Sequence, residues 1–438
     1  MKFGGSSLAN AGRFRIMAEI VKTQLDCKPI LVLSAMGDTT DHLLEAGQNA
    51  LKNAVVDIGK IEKLHLDTIA EMKLPYTVFR DIEPLLEELK SLLTGISLIK
   101  ELTGRTRDYL VSFGERLSVR IAAAYFTSVG VNAMAVDAWD GGFISNSNFT
   151  YAELKEESWK LIPSKLLDKA DNLLQIVTGF IAKDENGDIT TLGRGGSDLT
   201  ATMLAASCQA EELQVWKDVD GILSADPRIV ENVLPVESIT YEEAIALAYF
   251  SDQVLHPRAI QPCRKAGIPV RVKNSYNPEA PGTCIVMTEN EKNNPIKAIA
   301  FRKNATLIDM VSYRMHGQYG FLAELFSYFG KHGISVDMVA TSEVSVSIIV
   351  DMAYDLSLIK DELSKIANVS IHPKKAIVAI IGDIGRSSEI LSQSLKICEN
   401  LGVQIQMISQ GASKVNLNFI MDVEKVEEVV KRLHKSFF

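Results

Sequence analysis

The residues with the clearest chemical potential form a glycine-rich stretch at 191–200 (TLGRGGSDLT), between a β-like run and a helix-like run, 199–208. Glycines allow a tight turn and a close approach of backbone N–H groups to a ligand, and the next helix adds N-terminal N–H groups. Arg194 can hold a carboxylate with two hydrogen bonds, and Ser197 or Asp198 could cap the helix. The stretch therefore indicates a phosphate or carboxylate site, although an ordinary capped turn has the same composition.

Two further stretches have a similar character. Residues 2–7 (KFGGSS) precede a helical pattern, and Lys2 could reach a phosphate that the backbone holds. Residues 34–40 (SAMGDTT) follow the apolar run 29–33, which predicts a buried parallel strand. Ligands bind at the carboxyl ends of strands in open α/β sheets, so this loop suits a small polar ligand. A solvent-exposed lysine and an ordinary capped loop are the alternatives.

Glu115 and an acidic loop complete the candidates. Glu115 stands in an amphipathic helical pattern, which taken alone favours a surface charge paired with Arg116 or Arg120 over a function. The loop 217–228 (KDVDGILSADPR) follows the predicted strand 213–216 and combines acidic, glycine and proline residues. Such a loop at a strand end indicates either a nucleotide or metal site or a solvated turn.

Strand and helix patterns alternate along the first two thirds of the chain, which predicts an α/β fold with a mainly parallel sheet. A helical region spans 42–127 and is expected to break at Pro75 and Pro84. Residues 180–192, with the turn DENGD at 184–188, predict a β-hairpin that leads into the glycine-rich stretch.

The last third of the chain has a different pattern. Strand and helix signals from residue 306 onwards form two βαββαβ units of similar length, after the polar segment 289–295. We place a domain boundary near Asn290. The predicted domains are 1–290, 291–372 and 373–438. Paired units of this kind are typical of small-molecule-binding modules, and a structural dimerisation tail is the alternative.

Composition restricts the possible partners. The formal net charge of −9 over 438 residues provides no basic field that would attract nucleic acid or a membrane surface. The sequence has no apolar run of about 18 residues, and it starts on the KFGG stretch without a signal-like segment. Its five cysteines form no CxxC or Cys/His cluster, which indicates a reducing compartment and no structural metal site. These features predict a cytoplasmic protein without nucleic-acid or membrane partners.

Four stretches, taken in order, resemble the motifs of aspartate kinases. They are residues 2–7, 34–40, 113–115 (FGE) and 193–198 (GRGGSD). Residues 215–221 and 225–228 resemble the nucleotide loop of that family, and the terminal repeat resembles its tandem ACT domains. The resemblance covers essentially the whole chain. It implies an amino-acid-kinase fold, a three-layer αβα sandwich with a mainly parallel sheet, followed by two ferredoxin-like βαββαβ ACT domains.

The reaction that the resemblance implies is transfer of the γ-phosphoryl group of ATP, with Mg²⁺, to the β-carboxylate of L-aspartate. Lys2 would balance charge on the transferring group, and Asp198 would orient Lys2 or face the metal. The implied substrate-binding residues are Ser34, Thr40, Glu115, Arg194 and Ser197. The implied nucleotide-binding residues are Lys2, Gly4, Gly5, Ser6, Lys217, Asp218, Leu223, Arg228 and Gln253. The acceptor carboxylate is already ionised at neutral pH, so the reaction needs no general base.

Three positions depart from the family pattern. Only Met1 precedes Lys2, although the first strand of the family usually has several apolar residues there. Gln253 stands where many members have a phosphate-contacting lysine, and Leu223 stands where an aromatic residue is common. The alternative functions are a kinase for another small acidic amino acid and a non-catalytic amino-acid sensor that keeps the ACT pair.

The first ACT module resembles those of lysine-responsive members, which implies feedback inhibition by L-lysine. Gly320 would open a helix whose N–H groups suit the α-carboxylate of the effector, and Asp337 would pair with an ammonium group. The implied effector residues are Met315, Gly320, Phe321, Leu322, Ser335, Val336, Asp337, Met338, Thr341, Ser342 and Glu343. Pairing of two such modules would bury exposed sheet edges, so we expect a homodimer, or a tetramer built from it.

Overall fold

The computed structural model of the chain describes residues 1–167, 173–251, 255–288, 295–411 and 414–438. The chain divides into two compact units. The first comprises Met1–Ile222 and Asp252–Glu289, and the second comprises Leu223–Ser251 and Asn290–Phe438. The sequence placed residues 223–251 in the catalytic domain, whereas they group with the second unit because their apolar side chains pack into its cores. The boundary expected near Asn290 lies outside the described residues.

The elements are numbered in chain order. The strands are β1 (Lys2–Phe3), β2 (Leu31–Leu33), β3 (Ala133–Val136), β4 (Leu174–Thr178), β5 (Ile181–Lys183), β6 (Ile189–Thr191), β7 (Leu213–Lys217), β8 (Ser238–Thr240), β9 (Val270–Asn274), β10 (Thr283–Val286), β11 (Ile296–Val311), β12 (Val336–Thr341), β13 (Ser345–Asp351), β14 (Asn368–Gly382), β15 (Met407–Gln410) and β16 (Asn416–Asp422). The α-helices are α1 (Ala11–Lys22), α2 (Thr39–Asn53), α3 (Gly59–Glu71), α4 (Thr77–Ile99), α5 (Gly104–Ser128), α6 (Ser158–Leu166), α7 (Gly196–Ser207), α8 (Tyr241–Ala248), α9 (Pro257–Ala266), α10 (Phe321–Lys331), α11 (Ser357–Leu363), α12 (Ser387–Asn400) and α13 (Val426–Phe437).

The first unit is built on a sheet with the strand order β3-β4-β2-β1-β7-β9-β10. The neighbouring strands are parallel except β9 and β10. Strand β1 lies in the middle, with Lys2 opposite Val32 of β2 and Val215 of β7. A strand covered on both faces must be apolar throughout, which explains the uninterrupted apolar sequence of β2. The two neighbours of β1 therefore fix Lys2, although β1 has only 2 residues.

The long helices α4 and α5 belong to the same unit. Helix α4 continues through Pro84, where the sequence predicted a break, while the break at Pro75 separates α3 from α4. The apolar stripe of α4 from Val78 to Ile96 packs into the core of the unit, and its burial outweighs the roughly 3 kcal/mol that an interior proline costs. Helix α5 is buried over most of its length and carries Glu115. No helix among the described residues is both long and apolar enough to cross a membrane.

Helix α7 begins inside the glycine-rich stretch. Strands β5 and β6 form the predicted antiparallel hairpin, which delivers the chain to this stretch. The helix starts at Gly196, three residues earlier than the pattern predicted, because Gly195 with φ of 73° turns the chain and occupies the N-cap position. No side chain caps the helix there. The predicted cap by Ser197 or Asp198 is therefore wrong, since both residues lie in the first turn.

The second unit contains an antiparallel sheet with the order β12-β13-β11-β14-β16-β15. Its first module consists of residues 305–311 of β11, α10, β12, β13, α11 and residues 368–372 of β14. Its second module consists of residues 375–382 of β14, α12, β15, β16 and α13, and residues 296–302 of β11 supply its fourth strand. The first module is thus inserted into the second, whereas the sequence predicted two consecutive units. The long pairing of β11 with β14 produces this arrangement.

Among the residues that the structure describes, three apolar clusters stabilise the second unit. One packs the helices of the first module on its strands, and another does so for the second module. A third joins the two modules, with buried residues Ala305, Leu307, Ile349, Ile377, Met407 and Ile420. Tyr249 and Phe250, which follow α8, pack against this third cluster. The 223–251 segment is therefore anchored between the two modules.

Candidate active site

A cavity of about 810 Å³ in the first unit collects residues from all four stretches that the sequence singled out, together with Thr150 and Phe180. The predicted site residues that line it are Lys2, Gly5, Ser34, Thr40, Glu115, Arg194, Ser197 and Asp198. The structure thus brings both predicted catalytic residues together with all the predicted substrate-binding residues.

Lys2 and Asp198 form an ion pair inside this cavity. Nζ of Lys2 lies 2.7 Å from Oδ1 of Asp198, and both side chains are buried. Burial alone would raise the pKa of Asp198, but the positive charges of Lys2 and Lys217 outweigh it and hold this pKa below its usual range. The carboxylate is therefore ionised and fixes the position of the Lys2 ammonium group.

Glu115 is buried in the wall of the cavity, with 3% of its surface exposed. Its Oε1 accepts a hydrogen bond of 3.1 Å from the backbone N–H of Ala35, and its Oε2 has no hydrogen-bond partner among the described residues. Burial raises the pKa of Glu115 to about 8. Burial therefore favours the protonated acid at neutral pH, and a cation bound at Oε2 would favour the carboxylate. A surface role paired with Arg116 or Arg120 is wrong, because the side chain points into the protein interior.

Glycines permit close backbone contacts around the cavity. A Cβ atom on Gly5 would lie 3.0 Å from a backbone oxygen of the loop after β2. A Cβ atom on Gly195 would lie 2.8 Å from Cβ of His256, the residue that caps α9. Burial and the positive charges of Arg194 and Arg258 lower the pKa of His256, so its imidazole is neutral at neutral pH. The glycine-rich loop is thus packed tightly against the start of α9.

Several cavity residues were missed by the sequence analysis. They include Arg107, Asp108, Thr150 and Phe180. Asp108 is fully enclosed and lies on the same helix as Glu115. A spacing of seven residues is close to two helical turns, so this spacing could have placed Asp108 on the face of α5 that carries Glu115.

Part of the predicted nucleotide-binding set lies close to Lys2. Gly4 follows β1 directly and Ser6 lies in the next short helical turn, and a Cβ atom on Gly4 would lie 3.7 Å from Nζ of Lys2. The ammonium group therefore lies beside this backbone. The N–H of Gly4 itself already donates a 3.3 Å hydrogen bond to the carbonyl oxygen of Trp216. Lys217 ends β7, the neighbour of β1, and Asp218 follows it. Their nucleotide contacts stay predictions.

The remaining predicted nucleotide residues are placed elsewhere. Leu223 and Arg228 belong to the second unit. The Arg228 guanidinium is exposed and contacts both carboxylate oxygens of Asp226. Gln253 lies outside the described residues. The nucleotide role of these three residues also stays a prediction.

The predicted effector residues all lie in the first module of the second unit. Met315 stands in a short helical turn, and Gly320, with φ of 85°, precedes α10. Phe321 and Leu322 open α10, with Phe321 buried in the module core. The others lie on or next to the edge strand β12: Ser335, Val336, Asp337, Met338, Thr341, Ser342 and Glu343. Their role in effector binding stays a prediction.

Asp337 already has protein partners. Its Oδ2 lies 3.7 Å from Nη1 of Arg302, and Arg302 also pairs with Asp351. Nη1 of Arg302 donates a 2.8 Å hydrogen bond to the hydroxyl of Tyr249. Burial and a hydrogen bond with Asp337 raise the pKa of Tyr249. An effector ammonium group at Asp337 would therefore compete with Arg302.

Comparisons with known proteins identify the family. The model of the amino acid kinase family matches residues 1–274, and an ACT domain model matches residues 308–354 and 378–437. Aspartokinase 1, chloroplastic, of Arabidopsis thaliana is 47% identical over 456 residues, which cover 100% of this chain and 80% of that protein. The chain belongs to the aspartokinases of the amino acid kinase family.

Two solved structures agree with this assignment. The crystal structure of Escherichia coli aspartokinase III with aspartate and ADP, called the R-state, superposes with a TM-score of 0.84 at 32% identity, covering 100% of this chain and 99% of that chain. The structure of the same enzyme with lysine and aspartate, called the T-state, gives a TM-score of 0.81 at 33% identity, with 100% and 98% covered. The predicted family and fold class are confirmed.

Proposed function

We propose that the chain transfers the γ-phosphoryl group of ATP to the β-carboxylate of L-aspartate and forms 4-phospho-L-aspartate, the first step in the biosynthesis of lysine, threonine and methionine. The observation that carries this proposal is the single cavity that combines an ion-paired lysine, a buried acid with one unpartnered oxygen, and an arginine on a glycine-rich loop. The aspartate and ADP bound to the E. coli relative support it.

The cavity offers complementary groups to both ends of aspartate. Oε2 of Glu115 would accept a hydrogen bond from the α-ammonium group, whose charge would stabilise the ionised form of this acid. Arg194 would hold a carboxylate with its planar guanidinium. The hydroxyl groups of Ser34, Thr40 and Ser197 line the same cavity and would complete the hydrogen bonds of the substrate.

The transfer itself requires positioning and charge neutralisation. An oxygen of the β-carboxylate bonds to the γ-phosphorus, while the bond between this phosphorus and the β,γ-bridging oxygen breaks and its electron pair leaves with ADP. No proton has to move. Lys2, held by Asp198, would balance the negative charge of the transferring group. Mg²⁺ bound with the nucleotide would neutralise phosphate charge, and the ionised Asp198 is the carboxylate that could face it.

The test is ATP- and Mg²⁺-dependent formation of aspartyl hydroxamate by the full chain, with L-glutamate as the competing substrate. We expect product with aspartate and little with glutamate. Product with glutamate alone would indicate a kinase for another acidic amino acid. Binding of amino acids without any phosphoryl transfer would indicate a non-catalytic sensor.

We also propose that L-lysine inhibits this activity through the first ACT module and that the modules pair in a homodimer, or in a tetramer built from it. The lysine bound to the T-state E. coli relative supports the choice of effector. The cytoplasmic location expected from the sequence stays a prediction, since the Arabidopsis relative is named as chloroplastic.

A further inference from the structure

Two backbone segments meet on one side of the cavity, and one of them leads directly into Arg194. They are residues 150–152 and residues 191–194. The N–H of Ala152 donates a 2.8 Å hydrogen bond to the carbonyl oxygen of Thr191. A Cβ atom on Gly193 would lie 2.5 Å from the ring of Tyr151, so the segments are in direct contact. The position of Arg194 therefore depends on how the two segments are held together.

Asp108 joins the two segments from the side of α5. Its Oδ2 accepts hydrogen bonds of 2.8 Å from the N–H of Thr150 and 2.9 Å from the N–H of Thr191. Its Oδ1 accepts a 2.8 Å hydrogen bond from the hydroxyl of Thr191. The side chain is only 1% exposed, and burial raises the pKa of Asp108, while the hydrogen bonds from Thr150 and Thr191 oppose this rise. Helix α5 also carries Glu115, so Asp108 links the two halves of the predicted aspartate site.

Arg258 joins the same two segments from the side of α9. Its Nη1 donates a 3.0 Å hydrogen bond to the carbonyl oxygen of Leu192, and its Nη2 donates a 2.6 Å hydrogen bond to that of Ala152. The guanidinium also lies 4.3 Å from the centre of the Tyr151 ring. Arg258 therefore hydrogen-bonds one carbonyl group from each segment, as Asp108 hydrogen-bonds one N–H group from each segment.

We propose that Asp108 and Arg258 are positioning residues for aspartate recognition, which together hold Arg194 at the orientation that grips the substrate. The Asp108 carboxylate and the Arg258 guanidinium act on the same pair of segments. The carboxylate binds backbone N–H groups, and the guanidinium binds backbone carbonyl groups. Neither residue has to touch the substrate for this role. The inference rests on the proposed function, because it assigns aspartate to the cavity.

Conservative substitutions should disturb this arrangement selectively. In Asp108→Asn, the amide NH₂ group would face backbone donors, so at least one of the hydrogen bonds is lost. In Arg258→Lys, one ammonium group cannot replace a planar fork that spans two carbonyl oxygens. Displacement of Arg194 by about 1 Å can reduce the rate by about 100-fold.

The first experiment is steady-state kinetics of the full chain with Asp108→Asn and Arg258→Lys. We expect KM for aspartate to rise about 10- to 100-fold in each variant, while KM for ATP stays within about twofold. Matched controls are Asp67→Asn and Arg15→Lys, which alter exposed ion pairs and should leave both constants unchanged. An unchanged KM for aspartate, or an equal rise in both constants, overturns the positioning role.

A second measurement keeps the proposal testable if either variant folds poorly. Thr191→Val removes only the hydroxyl bond to Asp108, whereas Thr191→Ser keeps it. We expect a raised KM for aspartate in the first and native constants in the second. If Thr191→Val lowers the melting temperature and leaves KM for aspartate unchanged, the contact is structural only and the inference fails.

The double variant Asp108→Asn/Arg258→Lys tests whether the two residues act on one element. We expect its KM for aspartate to be close to the higher of the two single-variant KM values, because both changes release the same loop. Multiplication of the two single effects would show independent sites and overturn the paired role. Failure of the proposed function is distinguishable, because then the native chain itself would form no aspartyl hydroxamate.

Discussion

Nζ of Lys2 lies 2.7 Å from Oδ1 of Asp198, although the two residues stand in different halves of the first unit's sequence. Strand β1 presents Lys2 between two parallel neighbours, and the first turn of α7 presents Asp198. Both side chains are buried, so the pair is weakly screened by solvent. A phosphoryl group that approaches Lys2 therefore meets an ammonium group whose position is already set.

Replacement of Lys2 by alanine should reduce turnover severely and change KM for aspartate only modestly. The reason is that a charge on the transferring phosphoryl group acts mainly in the transition state. By analogy with removal of one preorganised donor, we expect a loss of roughly 2–4 kcal/mol, measured as kcat in the hydroxamate assay. Lys22→Ala, which removes a partly exposed surface lysine paired with Glu19, is the control. Near-native turnover of Lys2→Ala would exclude the catalytic role.

Replacement of Arg194 by lysine should raise KM for aspartate strongly and leave KM for ATP almost unchanged. A single ammonium group cannot reproduce the two parallel hydrogen bonds of a guanidinium on a carboxylate. The measurement is a pair of substrate titrations, with Arg105→Lys on exposed α5 surface as the control. If KM for ATP moved instead, Arg194 would be a nucleotide residue.

Glu115 should make aspartate binding depend on pH. Burial raises its pKa to about 8 from an ordinary value of 4.5, so the free cavity holds the protonated acid at neutral pH. Aspartate affinity should therefore increase as the pH rises towards about 8, because the ammonium group needs the carboxylate. Calorimetric titration of aspartate from about pH 6 to about pH 9 tests this, and Glu115→Gln should show weak binding with a flat profile over this range. A flat profile in the native chain would contradict the assignment.

The same shift has a consequence for stability. Between pH 4.5 and about 8 the unfolded chain releases the Glu115 proton and the folded chain keeps it. The free energy of unfolding should therefore fall as the pH rises through this window, by at most about 1.4 kcal/mol per pH unit. Thermal unfolding of the native chain and Glu115→Gln without aspartate gives the comparison. As the pH rises, the free energy of unfolding of Glu115→Gln should increase relative to that of the native chain. A difference that does not change with pH would argue against a buried protonated acid.

Local chemistry explains what could be predicted from the sequence. Glycine clusters, strand ends and charged residues beside them are short-range patterns, so the sequence indicated Lys2, Glu115, Arg194 and Asp198 as candidates, and the structure brings them to one cavity. The hairpin before the glycine-rich stretch was also predicted, because its turn residues are adjacent in sequence.

Long-range pairing explains what could not be predicted. Residues 296–302 complete the second module because they pair with the far half of β14, and no local pattern states which strand a strand will join. The burial of residues 223–251 in the second unit has the same origin. Asp108 and Arg258 were missed because their partners are backbone groups of distant loops, which carry no side-chain signature.

Replacement of Gly195 by alanine should lower both stability and activity. Its φ of 73° is left-handed, and the new Cβ atom would lie 2.8 Å from Cβ of His256. Gly187→Ala is a matched control, since Gly187 has φ of 83° and its Cβ would meet nothing within 4 Å. The backbone alone should cost about 1–2 kcal/mol in each variant. Only Gly195→Ala should also lose turnover, because the contact displaces the start of α7. Equal kinetics in the two variants would show that this contact does not matter.

Lysine inhibition should depend on a competition for Asp337. Arg302 and Tyr249 already contact this carboxylate, so an effector ammonium group must displace or share them. Asp337→Asn should raise the lysine concentration for half inhibition, because a neutral amide attracts an ammonium group weakly. Tyr249→Phe should lower that concentration, since it removes one competing hydrogen bond and leaves the carboxylate in place. A hydrogen bond to a charged group typically contributes about 1.5–3 kcal/mol, which corresponds to a shift of about 10- to 150-fold for Asp337→Asn.

The measurement is hydroxamate formation against lysine, threonine and both together, for the native chain and the two variants. Lys303→Gln, which changes an exposed lysine next to Arg302 on β11, is the control, and L-lysine should inhibit it as it inhibits the native chain. Inhibition by threonine alone would refute lysine as the effector. Lysine inhibition that is unchanged in Asp337→Asn would refute the site, because an ammonium group bound elsewhere would not sense this carboxylate. If the lysine inhibition curve is unchanged in Tyr249→Phe but shifted in Asp337→Asn, Asp337 remains the effector ligand. Tyr249 then does not compete with the effector for this carboxylate.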